Sequence, residues 1–303
     1  MQINELIGQA KIDCYEAELL LGHVLKQDQV YLRIHGDKTV TPSAIKKFKA
    51  LINRRLKHEP IAYLVKSQPF MGREFAVDRN VLIPRPETEI LSQLVEQHLK
   101  GLPGHRGLRG RASGVIVDIG TGSGCLAVTL ALAFPKARVI ASDISTKALA
   151  IAKQNAKKNR ATIEFIKDNL FGEKVKSNIE YQISSMTAKR TFDIQRSGHS
   201  TFEVVIVANL PYLPVRDKKT MMPDVAKYEP AKALFAGKDG SALVRKLLNQ
   251  IRHSKFDIQT STFLEIDPPQ AKGLCDFAKK LFPNKKVQIK KDLCGKDRFL
   301  IVI

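Results

Sequence analysis

Residues 115–124 read VIVDIGTGSG, and this stretch decides the fold. Val115, Ile116, Val117 and Ile119 make a short apolar strand with Asp118 near its end. Gly120, Gly122 and Gly124 then form a strand-to-helix turn before the apolar run at 125–134. Glycines at such a turn adopt left-handed backbone angles at no steric cost and let a ligand approach the main-chain N–H groups. The N-terminus of the helix beyond adds a field that favours an anionic group such as a carboxylate. About 20 residues further on, a second strand ends in Ser142-Asp143, whose carboxylate is suited to accept both hydroxyls of a ribose.

Outward from this stretch, strands and helices alternate. Periodicity and turn residues predict strands at 114–119, 138–143, 162–166, 202–208 and 262–266, and helices at 125–134, 147–159, 241–253 and 270–281. Two short strands near 286–289 and 298–303 close the chain. Repeated β-α units mean an α/β fold: a mostly parallel sheet with helices on both faces. Residues 173–200 are polar with mixed charge and are expected to form a long loop, functional or mobile, where a short crossover would serve. Residues 101–113, rich in glycine and arginine, are expected to be a loop or linker.

The first 60 or so residues read as helical. Asp13 with Glu16 has capping-box spacing, and Thr41-Pro42 is a second helix start, followed by the stripe Ile45, Phe48, Leu51, Ile52 and Leu56. Between 68 and 84, the alternation of Phe75/Val77 and Val81/Ile83 around Asp78-Arg79-Asn80 predicts a β-hairpin, and a helix is expected over 86–100. The organisation expected is a helical N-terminal domain at 1–67, a hairpin linker at 68–84 and the α/β domain at 85–303.

The 303 residues carry 50 Lys and Arg against 30 Asp and Glu, a net charge of +20, with 44% hydrophobic and 26% charged residues. That apolar share excludes wholesale disorder. The excess charge is spread along the chain in short pairs such as Lys157-Lys158 and Lys290-Lys291, the pattern of solvated faces rather than of a nucleic-acid groove. Cys14, Cys125, Cys275 and Cys294 form no C-x-x-C pair and are expected as reduced, mostly buried thiols. The histidines show no metal-ligand spacing, so no metal is expected. MQINELIGQA at the N-terminus has no basic segment leading an apolar one, and the apolar run near 114–134 is interrupted by Asp118 and glycines. The expectation is a soluble cytoplasmic protein.

Two cofactor classes share the glycine-loop layout. A dinucleotide fingerprint needs G-x-G-x-x-G, but Cys125 occupies its sixth position. The G-x-G-x-G form is that of S-adenosylmethionine (SAM) methyltransferases, so SAM is expected over NAD. After the fourth apolar strand comes Ala208-Asn209-Leu210-Pro211-Tyr212. Ligands of open α/β sheets bind at the carboxyl ends of strands, which sets this motif beside the cofactor loop. An amide or aromatic exocyclic NH2 is a poor nucleophile because its lone pair is delocalised. Two acceptors gripping its two hydrogens orient the nitrogen; Asn209 Oδ1 can be one and a backbone carbonyl of the same turn the other. Tyr212 supplies a flat wall for a planar group.

With these motifs the sequence resembles the release factor glutamine methyltransferase family. The resemblance runs from EPIAYL (Glu59–Leu64) through LIPRPETE (Leu82–Glu89), VDIGTGSG, KDN and ANLPY to YEPAKAL (Tyr228–Leu234) and the final strand. It implies a Rossmann-like SAM-dependent methyltransferase domain with a small helical N-terminal domain and a β-hairpin linker. The implied reaction is methyl transfer from SAM to the side-chain amide nitrogen of the glutamine in the GGQ motif of peptide chain release factors. The same resemblance assigns Gly120, Thr121, Gly122, Ser123 and Gly124 to the methionine part of SAM, Asp143 to its ribose, and Asp168 and Asn169 to its adenine. Asn209 and the carbonyl of Leu210 would grip the glutamine amide, in contact also with the cofactor, with Pro211 shaping the turn and Tyr212 against the amide plane. Leu210 departs from the family's usual N-P-P-Y, while Arg85, Glu87 and Glu229 fall in family motifs near the substrate. A monomer acting on protein, with no membrane and no nucleic-acid substrate, is implied. The alternatives are a nucleic-acid amino-methyltransferase of the adenine N6 type, a sister enzyme acting on a ribosomal-protein glutamine, and an inactive SAM-binding interaction protein.

Overall fold

A computed structural model describes residues 1–101, 114–190, 203–254 and 259–303, without the side chains of 186–190, 203 and 259. The expected linker at 101–113 lies outside these residues except for Gly101. Five short helices open the chain: α1 (Ile3–Gly8), α2 (Cys14–Leu25), α3 (Gln29–Ile34), α4 (Pro42–Arg55) and α5 (Ile61–Val65). Their starts are written in the sequence. Asp13 accepts from the N–H groups of Tyr15 and Glu16, and Thr41 accepts from that of Ala44. Helices this short are not stable alone. They are held by a shared core of Leu6, Leu20, Leu21, Leu32, Phe48 and Ile52, and by a bidentate Arg55–Glu16 pair between α4 and α2.

A hairpin follows, β1 (Ser67–Phe70) and β2 (Arg73–Ala76), with Phe70 opposite Arg73. Its turn is Met71-Gly72, both at positive φ (48° and 70°), the two-residue geometry that matches strand twist. The turn expected at Asp78–Asn80 therefore belongs to no hairpin. Asp78 there accepts from the Asn80 N–H in a local turn. The alternation of Val77, Val81 and Ile83 instead serves a small core with Tyr63, Ala148 and Ile151.

The rest of the chain runs α6 (Pro86–Gly101), β3 (Gly114–Ile119), α7 (Cys125–Ala133), β4 (Arg138–Asp143), α8 (Thr146–Asn159), β5 (Glu164–Lys167), α9 (Glu173–Arg190) and β6 (Glu203–Ala208). After β6 come α10 (Pro223–Tyr228), α11 (Ala231–Leu234), α12 (Ala242–Arg252), β7 (Gln259–Glu265), α13 (Ala271–Leu281), β8 (Val287–Lys291) and β9 (Asp297–Val302). The seven-stranded sheet has the order β5-β4-β3-β6-β7-β9-β8. β5 through β7 pair in parallel, and β9 is antiparallel to both its neighbours. Alternate residues of β3 feed opposite cores. Val115, Val117 and Ile119 pack with α9, α12 and α13, and Ile116 packs with α6 and α7. This double burial explains why the strands read as continuous apolar runs.

The segment expected as a long loop is mostly helix. α9 spans 173–190 and is the crossover between β5 and β6, with Val175 and Ile179 fully buried in the sheet's core. Its apolar residues are too few to mark a helical stripe against so many polar ones, which is why periodicity missed it. Residues 191–200 of that expectation lie outside the described residues. Two of the four thiols, Cys14 and Cys294, are exposed rather than buried.

The motif EPIAYL ties the helical region to the segment 78–83 and, through it, to α10. Glu59 accepts two bonds from Arg54 (2.7 and 2.8 Å) and one from Arg79 (2.9 Å), and the Arg54 pairing foremost holds its carboxyl below the usual range. The Arg79 guanidinium lies 4.8 Å from the ring centre of Tyr228, whose hydroxyl donates to the Lys57 carbonyl. Tyr63 donates to the carbonyl of Val81 at 2.7 Å.

Because α9 is part of the core, Ile179→Ala should cost about 2–4 kcal/mol. Denaturant unfolding of the purified variant measures this, and a change near zero would restore the loop reading.

Candidate active site

The strand order reverses direction between β3 and β6, and the crevice at their carboxyl ends is where an open α/β sheet takes its ligand. The glycine turn leaves β3 on one side, and the Asn209 turn leaves β6 on the other. Gly120, Gly122 and Gly124 have φ of 75°, 54° and 80°. Each is required for its own reason. A Cβ on Gly120 would sit 2.9 Å from Leu210 Cδ2, and one on Gly124 would sit 3.0 Å from the Ala152 side chain on α8. A Cβ on Gly122 would meet only its own loop, at 4.0 Å, so this backbone faces open space that a ligand can fill. Asp118, fully buried, holds the turn from beneath. It accepts from Thr121 Oγ1 at 2.6 Å and from the Ala127 N–H at 3.2 Å. Burial pushes its carboxyl up to about 7 despite these bonds.

Asp143 accepts from the N–H groups of Gly122 (3.0 Å) and Ser145 (2.8 Å). Each oxygen keeps lone-pair capacity for a further donor, which fits ribose hydroxyls. Burial raises the Asp143 carboxyl, more than these two N–H groups lower it. Asp168 is placed differently. Its carboxylate accepts from the N–H groups of Asn169, Lys174 and Val175, and so caps α9. Asn169 is exposed beside it. A cradle of open glycine backbone, a helix N-terminus at Cys125 and a carboxylate across it suit a ligand that carries an amino-acid end and a ribose, as SAM does. Thr121 and Ser123 line the small cavity, about 50 Å³, between this turn and Asn209.

Asn209 is half-buried at the end of β6, and its Nδ2 donates to Thr88 Oγ1 at 2.8 Å. Thr88 donates in turn to Glu265 Oε2 (2.9 Å), and the Tyr212 hydroxyl donates to Glu265 Oε1 (3.2 Å). Leu210 is buried against Gly120. Gln270 donates to the Tyr212 carbonyl at 2.7 Å and fixes the turn from the far side. A second cavity of about 200 Å³ is lined by Leu82, Arg85, Asn209, Tyr212, Val225 and Leu234. Asn209 therefore lines two cavities, one at the glycine loop and this one. Arg85 lines both and pairs with the buried Glu229. Burial foremost raises the Glu229 carboxyl, and Arg85 opposes it. Glu87 is half-buried on the first turn of α6 and contributes charge near Glu265.

Sequence reasoning singled out Asn209 and the glycine loop but not Thr88, Asp118 and Glu265, which the structure brings against them. Thr88 sits inside the stretch RPETE. Glu265 carries a usable signal, a lone acid at the end of an otherwise apolar and small-residue strand, TSTFLEI. No cluster of His, Cys, Asp and Glu fit to hold a metal occurs among the described residues.

Fold and site together define a SAM-dependent methyltransferase. Family descriptions agree: "Methyltransferase small domain" matches residues 93–185, and "PrmC N-terminal domain" matches residues 3–65. The chain is 34% identical to a release factor glutamine methyltransferase of Staphylococcus aureus over 97% of its own length and 94% of that protein. It is 37% identical to the protein of that name from Neisseria gonorrhoeae, over 82% and 78% of the two chains. The chain belongs to the release factor glutamine methyltransferase family.

Two buried carboxyls set a pH dependence. Asp118 and Glu265 are both raised to about 7 from ordinary values near 4, so between about pH 4 and 7 the native state holds protons the unfolded chain has released. Stability therefore falls as pH rises through this window; Glu59, shifted the other way, acts only below it. Thermal unfolding between about pH 5 and 8 should show a falling Tm, and Asp118→Asn should flatten that fall.

Proposed function

We propose that this protein transfers a methyl group from SAM to the side-chain amide nitrogen of the glutamine in the GGQ motif of peptide chain release factors. The observation that carries the reading is Asn209, held by Thr88 through Nδ2 and lining both the cavity at the glycine loop and a second one. Its Oδ1 and the Leu210 carbonyl accept the two hydrogens of the glutamine amide and aim its nitrogen at the cofactor side. Tyr212 packs on the amide plane. When bound, SAM supplies an electrophilic methyl on a sulfonium. The new N–C bond forms as the S–C bond breaks, and one amide proton leaves to solvent. Gly120 to Gly124 hold the amino-acid end of the cofactor and Asp143 its ribose. Asp168 and Asn169 stand at the adenine end, Asp168 through the backbone it caps rather than through a free carboxylate.

In this reading residues 1–67 bind the protein substrate, 68–84 link, and 85–303 carry out the transfer; the family match over 3–65 supports the first assignment. The protein works as a monomer in the cytoplasm; no helix among the described residues is long and apolar enough to cross a membrane. Nucleic acid is not the substrate. Exposed Arg216, Lys218 and Lys219, a few residues past Tyr212 in sequence, favour a partner with an acidic surface.

Mixing purified protein, SAM and a release factor should add one methyl to the GGQ glutamine, read by intact mass and peptide fragmentation. Asn209→Ala should lower transfer by about 10²-fold or more with SAM affinity nearly unchanged. No added methyl on any release factor would refute the reading.

A further inference from the structure

An asparagine amide can turn over at little cost, and its two ends differ only in hydrogen-bond sense. Asn209 has to offer Oδ1, not Nδ2, to a glutamine NH2. Here the sense is set from two residues away. Thr88 Oγ1 lies 2.8 Å from Asn209 Nδ2 and 2.9 Å from Glu265 Oε2. A hydroxyl has one proton, and an ionised carboxylate only accepts. The Thr88 proton must therefore point at Glu265, and whatever Thr88 meets on Asn209 must be a donor. That leaves Nδ2 facing Thr88 and Oδ1 facing the site. The other oxygen of Glu265 takes the Tyr212 hydroxyl, so one carboxylate orients both the acceptor and the aromatic wall.

We propose that Glu265 and Thr88 are positioning residues, a directional relay that locks Asn209 with Oδ1 toward the substrate amide and that reverses when Glu265 gains a proton. The inference rests on the methyl-transfer reading above. A proton on Oε2 makes Glu265 a donor to Thr88 and releases the Thr88 proton toward Asn209. Asn209 then meets Thr88 with Oδ1 and presents its NH2 to the NH2 of the substrate, donor against donor.

The charged and titratable groups around Glu265 come from four elements. Glu87 on α6 raises its carboxyl, Arg298 on β9 lowers it, Tyr212 after β6 donates to it, and Asp267 just beyond β7 shares the field of Arg298. Burial outweighs Arg298 and pushes Glu265 up to about 7. The carboxylate form is present above that value and is lost as pH falls through it, so the active orientation is lost in the same direction.

The test compares wild type, Thr88→Val, Thr88→Ser and Glu265→Gln for kcat and KM with a release factor, and for SAM affinity by calorimetry, between about pH 6 and 9. Wild-type turnover at the upper end carries the functional reading; the variants bear on the relay alone. Thr88→Val and Glu265→Gln should each lower kcat about 10²-fold with SAM affinity within about threefold, and Thr88→Ser should restore most of the rate. The wild-type rate should show an acid limb near pH 7 that Glu265→Gln lacks. The Asn209 side-chain amide in 15N-asparagine-labelled protein should titrate with the same midpoint in wild type and not in Glu265→Gln, a readout that needs no release factor. A normal kcat in Thr88→Val overturns the relay, as does an Asn209 amide indifferent to pH or a loss of SAM binding that tracks the loss of rate.

Discussion

Parallel pairing of β3 with β6 is the constraint on which the site depends. Asp118 stands opposite Val207, so the two strands end together and the loops that follow must share one crevice. Leu210 then packs onto Gly120 from across that crevice. Gly120 thus meets two demands at once, a φ of 75° and room for a neighbour that any side chain would displace. Where the family's usual motif has proline, a branched apolar residue here joins the two loops by packing. The carbonyl that would meet the substrate belongs to the main chain, so the exchange leaves the acceptor in place, and Pro211 still biases residue 210 toward extended backbone.

A third strut comes from the start of α6. Arg85 reaches the buried Glu229, Thr88 reaches Asn209 and Glu265, and Glu89 accepts from the Met71 N–H in the hairpin turn at 2.6 Å. One turn of chain at the helix start therefore touches the hairpin, the segment around α10 and the Asn209 turn. The spacing explains how three residues do this. Arg85, Thr88 and Glu89 lie three and four apart, on one face of the helix start. The sequence of RPETE does not show these contacts, because the partners of Arg85 and Thr88 are more than a hundred residues away in the chain.

The same distance explains what the sequence could and could not disclose. The parallel sheet, the glycine turn and the Asn209 motif are local: apolar runs, turn residues and a short tetrapeptide carry them. Thr88 and Glu265 are 177 residues apart and gain meaning only when α6 packs on β7. The hairpin was misplaced for a related reason. Val77, Val81 and Ile83 alternate because one side of an extended segment is buried against α8, and a periodicity of two reports burial, not pairing. Helix α9 departs from the expected loop because Val175 and Ile179, with Ile183 partly buried beside them, suffice to dock a helix whose other described residues are mostly polar. Asp168 was legible as a site residue by motif alone, yet its carboxylate is spent on the N-terminus of that same unread helix.

The two most deeply buried of the raised carboxyls lie beneath two neighbouring turns, Asp118 under the glycine loop and Glu265 under Asn209 and Tyr212. Burying a carboxylate is unfavourable, and a fold under selection for stability alone would replace both with amides or apolar residues. A carboxylate differs from an amide in one respect that matters here: when ionised it accepts at every position and donates at none. It therefore imposes a direction on every hydrogen bond that reaches it. Under the glycine loop this forces the Thr121 hydroxyl and the Ala127 N–H to point inward, and under Asn209 it forces Thr88 and Tyr212 to do so. On the proposed reading, this fixes which atom of Asn209 faces outward, as a grip on an uncharged amide in one orientation requires. Local stability is then given up where hydrogen-bond sense matters.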